Sequence, residues 1–194
     1  RLRRRVVHAA LGYPQLPGRV GGTTPPRRGC PEATDALADV RGRIDHLVNN
    51  PGHSRPTTFH RRLGEILYTG CGVSRSEAGL KRALEQVQEL REEFWRDVRV
   101  TGTDDRLNQE LEKAGRVADF LELAELMITD ALDRQESCGA HFREEYALPD
   151  GEAKRDDERW CNVSAWETNL AGQHRRYQEP LRFESVKLQV RNYR

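Results

Sequence analysis

Leu107, Leu111, Ala114, Val117, Ala118, Leu121, Ala124, Ile128 and Ala131 recur at steps of three and four over more than twenty residues. That spacing puts them on one face of a single long helix reaching about Arg134. A helix of this length cannot bury its apolar stripe alone, so its neighbours must supply the other side of the core. They carry the same period. Ala36, Leu37, Val40, Ile44, Leu47 and Val48 form one stripe, stopped by Asn49, Asn50, Pro51 and Gly52. A second helix starts near Pro56–Thr58, carries Phe59, Leu63, Ile66 and Leu67, and ends at Gly70, Cys71 and Gly72. A third carries Leu80, Leu84, Val87, Leu90, Phe94 and Val98, and Ser74 with Glu77 has capping-box spacing before it. Thr103 or Asp104 is placed to cap the long fourth helix. Short connections between such helices predict an antiparallel bundle of about three to four helices over residues 32–135.

The flanks differ. Residues 1–31 are rich in Pro, Gly and Arg and contain no acid, which predicts an irregular, disordered segment. Residues 136–194 predict a small α+β segment with a strand pair. Trp160–Trp166 and Leu181–Val190 read as strands, 149–158 as a loop, and Asn169–Tyr177 as a polar connection. Phe120 and Met127 are expected in the core.

Composition excludes several classes. Lys and Arg total 32 against 31 Asp and Glu, a formal net charge of +1, so no nucleic-acid footprint is expected. No apolar stretch approaches the roughly 18 residues of a membrane-spanning helix. Arg1–Arg5 looks like the start of a signal peptide, but no adequate apolar stretch follows it. Cys30, Cys71, Cys138 and Cys161 make no C-x-x-C pair and have no histidine at zinc-finger spacing, so free thiols and no metal site are expected. Asn162-Val163-Ser164 fits the glycosylation acceptor pattern by chance.

Chemistry-bearing residues are densest from Arg134 to Glu145. Ser137, His141 and Glu145 have the residue types of a triad, and Cys138 with His141 those of an activated thiolate. Neither has the supporting turn or geometry, and the favoured reading is a paired polar network. In it the Arg143 fork suits a carboxylate or a backbone carbonyl.

The run Arg134-Gln135-Glu136-Ser137-Cys138-Gly139-Ala140-His141-Phe142-Arg143-Glu144-Glu145 resembles the R-x-E-S-x-G-x-H-x-R-x-[DE] segment near the C-terminus of succinate dehydrogenase and fumarate reductase flavoprotein subunits. Phe59–Gly64 before Cys71-Gly72, Leu107-Asn108 with Leu121–Leu126, Arg155-Asp156-Asp157-Glu158, and Val186-Lys187-Leu188 with Arg191-Asn192-Tyr193 look like further segments of that family. The resemblance runs from about Ala33 to Arg194. Cys138, where many members carry Arg, suggests an actinobacterial-like branch.

The resemblance implies an oxidoreductase whose complete subunit holds FAD and passes hydride from succinate to the flavin. The family's G-x-G-x-x-[GA] and H-G-A-N-R-L-G motifs do not occur in residues 1–194. No cofactor, and no activity, is therefore expected on this chain alone. It is expected to be the C-terminal helical part, a scaffold facing the flavin domain of its own subunit and an iron–sulfur subunit. Arg134, Glu136, Ser137, His141 and Arg143 are the candidate interface residues. The implied location is cytoplasmic, peripheral on the inner face of a membrane through partner subunits. Alternatives are a free-standing helical interaction module, a non-catalytic remnant of a truncated gene, and an aspartate-oxidase-like C-terminal domain. A lone chain of this kind is expected to expose apolar surface and to be poorly soluble.

Overall fold

The computed structural model describes residues 31–103, 107–168 and 174–189. The arginine-rich segment, apart from Pro31, lies outside the described residues, as do Asp104, positions 169–173 of the expected connection, and the chain from Val190 onward.

Four helices form the body: α1 (Pro31–Asn49), α2 (Pro56–Gly70), α3 (Glu77–Asp97) and α4 (Gln109–Asp133). Helices α2, α3 and α4 pack on one another, and α1 lies against α4. The core they enclose is made of the expected stripes. Phe59 and Leu63 come from α2, Leu80, Ala83, Val87, Leu90 and Phe94 from α3, and Ala114, Val117, Ala118, Leu121, Ala124, Ile128 and Ala131 from α4. Phe59 and Phe94 meet edge to face with ring centroids 5.3 Å apart. The crossing of α2 and α3 is close at Gly70, where an added Cβ would lie 2.6 Å from the Cβ of Ala83. Any larger residue there would push the helices apart.

The stripe of α1 is used only at its C-terminal end. Leu47 is buried, but Leu37 and Val40 remain about half exposed, at 50% and 51%. The end of α1 is fixed to α3 by polar contacts instead: the His46 ring pairs with the Trp95 carbonyl at 2.9 Å, and Asn50 Nδ2 donates to the Val98 carbonyl at 2.8 Å.

Two helix starts differ from expectation. Ser76, not Ser74, caps α3, its hydroxyl accepting from the Gly79 amide. Ser74 is diverted because it lies in a short strand, β1 (Ser74–Arg75). Asn108, not Thr103 or Asp104, caps α4: Oδ1 accepts from the Glu110 and Leu111 amides, and Nδ2 donates to the Thr103 carbonyl. An asparagine that closes both the loop and the helix outcompetes a threonine further away. Leu107, read as the first residue of the α4 stripe, therefore precedes the helix and is exposed. Phe120 and Met127 are not core either. With Leu123 they form an outward row on α4, 40%, 45% and 52% exposed respectively.

Beyond α4 come β2 (Phe142–Arg143), a 3-10 turn (Glu144–Tyr146), the short α5 (Asp157–Trp160), and the strands β3 (Asn162–Thr168) and β4 (His174–Pro180). Strands β1 and β2 pair in parallel, and β3 and β4 pair antiparallel from Asn162↔Pro180 to Thr168↔His174. A strand pair is present as expected, but its second member is not Leu181–Val190. It is His174–Pro180, which begins inside the expected polar connection of residues 169–177, where His-Arg-Arg-Tyr shows no apolar alternation. What holds the hairpin is polar: Trp166 Nε1 donates to Asp130 Oδ1 at 2.7 Å, and Arg176 meets Asp133, so both strands are anchored to the last turn of α4. Trp160, expected to open the first strand, closes α5 instead, whose N-cap Asp156 accepts from the Arg159 amide.

Candidate functional site

The segment from Arg134 to Glu145 leaves α4, turns back, and joins three parts of the chain. The turn is a tight hairpin in which the amides and carbonyls of Cys138 and His141 pair in both directions, at 2.8 and 3.1 Å. Gly139 sits at its tip with φ +59°, the left-handed region that glycine enters without a Cβ penalty.

Arg143 is the centre of the arrangement. It is only 2% exposed. Its Nη1 donates to the carbonyls of Ala131 and Leu132 at 2.8 and 3.2 Å, two of the carbonyls that the end of α4 leaves without helical partners. Its Nε donates to Glu145 Oε2 at 3.1 Å. The other carboxylate oxygen, Glu145 Oε1, accepts from the Glu77 amide at 2.6 Å, the first amide of α3. A cation thus caps the negative end of α4 and an anion the positive end of α3. Burial alone would push the Glu145 carboxyl up, but the Glu77 amide, its own backbone amide and Arg143 outweigh this and hold it below the usual range.

Ser137 and Glu136 tie the segment from behind. The fully buried Ser137 hydroxyl accepts from the Arg143 amide at 2.8 Å and donates to the Arg143 carbonyl at 3.1 Å. Glu136, 2% exposed, takes two guanidinium hydrogen bonds from Arg134 on Oε1 and the Asp156 amide on Oε2. Arg155 in turn grips Asp157, which raises its already high pKa.

His141 stands half-buried between two elements. Its Nδ1 lies 2.8 Å from Arg75 Nη1, and its Nε2 lies 3.1 Å from the Arg134 carbonyl. Burial pushes its pKa down, and Arg75, Arg134 and Arg143 push it further, against the opposing pull of the Arg134 carbonyl.

All five candidate residues therefore belong to one constellation. No nucleophile and base are paired within it. Ser137 has its hydroxyl committed in both directions, His141 faces arginines, and Glu145 faces an amide, so the three form no triad. The imidazole nitrogens are equally committed away from the Cys138 thiol. Among the described residues Cys71, Cys138 and Cys161 are free thiols, and burial raises the Cys71 pKa. No group of three or more His, Cys, Asp or Glu suited to a metal occurs among the described residues. No helix of the described residues is long and apolar enough to cross a membrane.

Two open depressions lie on the described surface, at about 390 and 400 Å³. One is lined by Asp39, Gly42, Arg43, His46 and Trp95, the other by a mixed set that includes Glu65, Glu89 and Glu93 with Arg62, Ile66 and Leu90. Neither depression has the glycine-rich turn at a helix start that would cradle the pyrophosphate of a flavin dinucleotide.

Sequence reasoning missed two polar contributors. Arg75 reads as a surface residue, and only the parallel pairing of β1 with β2 brings it to His141. Glu125 lies on the buried side of α4, 8% exposed, where Gln88 and Arg91 of α3 satisfy it. Neither leaves a local signal, because both partners are remote in sequence.

The fumarate reductase flavoprotein C-terminal family matches residues 60–193. The fumarate reductase flavoprotein subunit of Escherichia coli (strain K12) is 33% identical over 120 residues, covering 62% of this chain and 19% of that protein. Its counterpart in Proteus vulgaris is 30% identical over 148 residues, covering 72% and 24%. In three dimensions the chain is similar to an E. coli quinol fumarate reductase, with a TM-score of 0.71 and 27% identity over 89% of this chain and 28% of that one. An adenylylsulfate reductase of Archaeoglobus fulgidus, at 18% identity and a TM-score of 0.61 over 80% of this chain and 26% of that one, shares the fold alone. The chain spans about a fifth of the length of the curated relatives it matches.

Proposed function

Because the chain belongs to the fumarate reductase flavoprotein C-terminal family, we propose that it serves as the helical C-terminal part of a flavoprotein subunit that interconverts succinate and fumarate. In this reading the four helices buttress a flavin domain, the iron–sulfur subunit is the next electron carrier, and the assembly sits at the inner face of a membrane. FAD and the dicarboxylate are held by the flavin domain, and this chain's residues position rather than react. The E. coli and Proteus vulgaris relatives are fumarate reductase flavoprotein subunits, and that likeness supports the substrate pair.

The observation that carries the scaffold role is the outward row of Phe120, Leu123 and Met127 on α4. A helix whose inner stripe is fully buried has no need of a second apolar row unless that row is also covered. The Arg134–Glu145 segment contributes differently. Its exposed turn, Gly139–Ala140, meets the partner, with Arg134 and His141 half-exposed beside it, while Glu136, Ser137 and Arg143 hold the turn from within.

The test is reconstitution. The flavin-binding portion of the E. coli relative, freed of the region matched here, is mixed with this chain and followed by flavin absorbance in size-exclusion chromatography. Co-elution with yellow colour, and its loss in Leu123→Glu, is the expected result. Separate elution, or flavin bound and succinate oxidised by this chain alone, would overturn the reading.

A further inference from the structure

We propose that His141 is an acid-sensitive latch, which holds the Arg134–Glu145 segment against β1 while the imidazole is neutral and releases it on protonation.

The argument begins with what each partner can do. A guanidinium has only N–H groups to offer, so Arg75 Nη1, 2.8 Å from Nδ1, must donate and Nδ1 must accept. The proton of the neutral ring is then on Nε2, where it donates to the Arg134 carbonyl at 3.1 Å. Geometry thus fixes one tautomer, and both nitrogens are used. A second proton has one place to go, Nδ1, where it would point at the N–H of Arg75. That contact turns from a hydrogen bond into a clash of two donors and two cations.

The surroundings offer the charged ring little. Arg75 faces it from β1, Arg134 from the end of α4, and Arg143 from β2. The nearby carboxylates are already committed: Glu136 to Arg134 and the Asp156 amide, Glu145 to Arg143 and the Glu77 amide. Arg75 is also tethered, its Nε donating to the Gly72 carbonyl at 2.6 Å, so it cannot simply swing away. The relief available is separation of the two elements. What would part is the short β1–β2 pairing, with Phe142 N donating to the Val73 carbonyl at 3.2 Å and the Ser74 hydroxyl to Glu144 at 2.9 Å.

The direction follows from linkage. The imidazole pKa is lower in the folded chain than the ordinary value of 6.5, so the released state takes up the proton more readily. The latch is complete above about pH 6.5 and is lost as pH falls through the folded value. Carboxylates titrate lower, which separates their effects from this one.

Hydrogen exchange on the full chain tests it at about pH 7.5 and about pH 5.5. After correction for intrinsic rates, peptides spanning 136–146 should lose protection, by up to about tenfold over the one pH unit between the released value of about 6.5 and pH 5.5, while the core of α3 and α4 keeps its own. His141→Gln, which can accept from Arg75 and donate to Arg134 without titrating, should remove the pH effect. Should that variant not fold, nitrogen NMR of the wild-type ring replaces it: the Nε2–H tautomer is expected near pH 7.5, with a titration midpoint below 6.5. Equal protection at both pH values, an equal loss in His141→Gln, or the Nδ1–H tautomer would overturn the proposal.

Discussion

Arg143 and Glu145, two residues apart and joined at 3.1 Å, cap opposite kinds of helix end, the carbonyls of Ala131 and Leu132 on α4 and the Glu77 amide on α3. A single ion pair thereby ties the C-terminus of one helix to the N-terminus of another. The pair is uneven, Arg143 being buried and Glu145 partly exposed, so its two members should differ in what they contribute.

Replacing Arg143 by Met keeps much of the volume and removes every donor. Two helix carbonyls and the Glu145 carboxylate lose their partner. A loss of about 2–3 kcal/mol is expected from urea unfolding, in the range of hydrogen bonds to charged groups. Arg143→Lys should recover little of it, because a point charge cannot serve α4 and Glu145 together. A Lys variant as stable as wild type would mean that charge, not the fork, is what matters.

Asn108→Ala removes an acceptor shared by two amides of α4. The expected cost is about 1 kcal/mol, typical of N-cap loss. Asn108→Asp should restore much of it, since the carboxylate still accepts at a helix N-terminus. Thr103→Ala, by contrast, keeps the carbonyl that Asn108 Nδ2 uses and should leave the α4 cap hydrogen bonds in place.

Asp97 sits where α1, α2 and α3 converge. Hydrogen bonds from the Ser54 side chain, then from the His53 amide and ring, lower its pKa to about 2. A carboxyl held below its unfolded value stabilises the fold above about pH 3.8 and loses that effect as pH falls toward about 2. Acid unfolding curves of Asp97→Asn should therefore be flatter than wild type in this window and parallel above it. Parallel curves throughout would show that the carboxylate gains nothing from its partners.

Leu123→Glu and Met127→Glu address the outward row of α4. Both positions are half exposed, so helix content and cooperativity should be preserved. Light scattering of the isolated chain is expected to fall in the variants, because a smaller apolar patch leaves less surface for self-association. Wild-type chain that is monodisperse at high concentration would contradict this.

The helices were legible because their information is periodic and local. Leu80, Val87, Leu90 and Phe94 announce a buried face regardless of what lies opposite. The ends were less so: Ser74 has the right spacing for a cap, yet pairing with Phe142 claims it, and a sequence window cannot see a partner that far away. The failure at β4 has another cause. Arg175, Arg176 and Tyr177 make a strand through Asp133 and cross-strand contacts, not through an apolar face, so no alternation exists to be read. The site divides the same way. Arg134, Glu136, Ser137, His141 and Arg143 stood out as a cluster, whereas Arg75, supplied by another part of the chain, carried no mark of its role.

Ser74 and Glu144, which hydrogen-bond to each other, are 70 residues apart in the chain. During synthesis, α2, α3 and α4 are all complete before that partner emerges. The helical body is therefore encoded ahead of the residues that finish the C-terminal end of α4, which are Arg143 and, further on, Trp166 and Arg176. A chain interrupted after Asp133 should thus gather its helices but keep the last turn of α4 frayed.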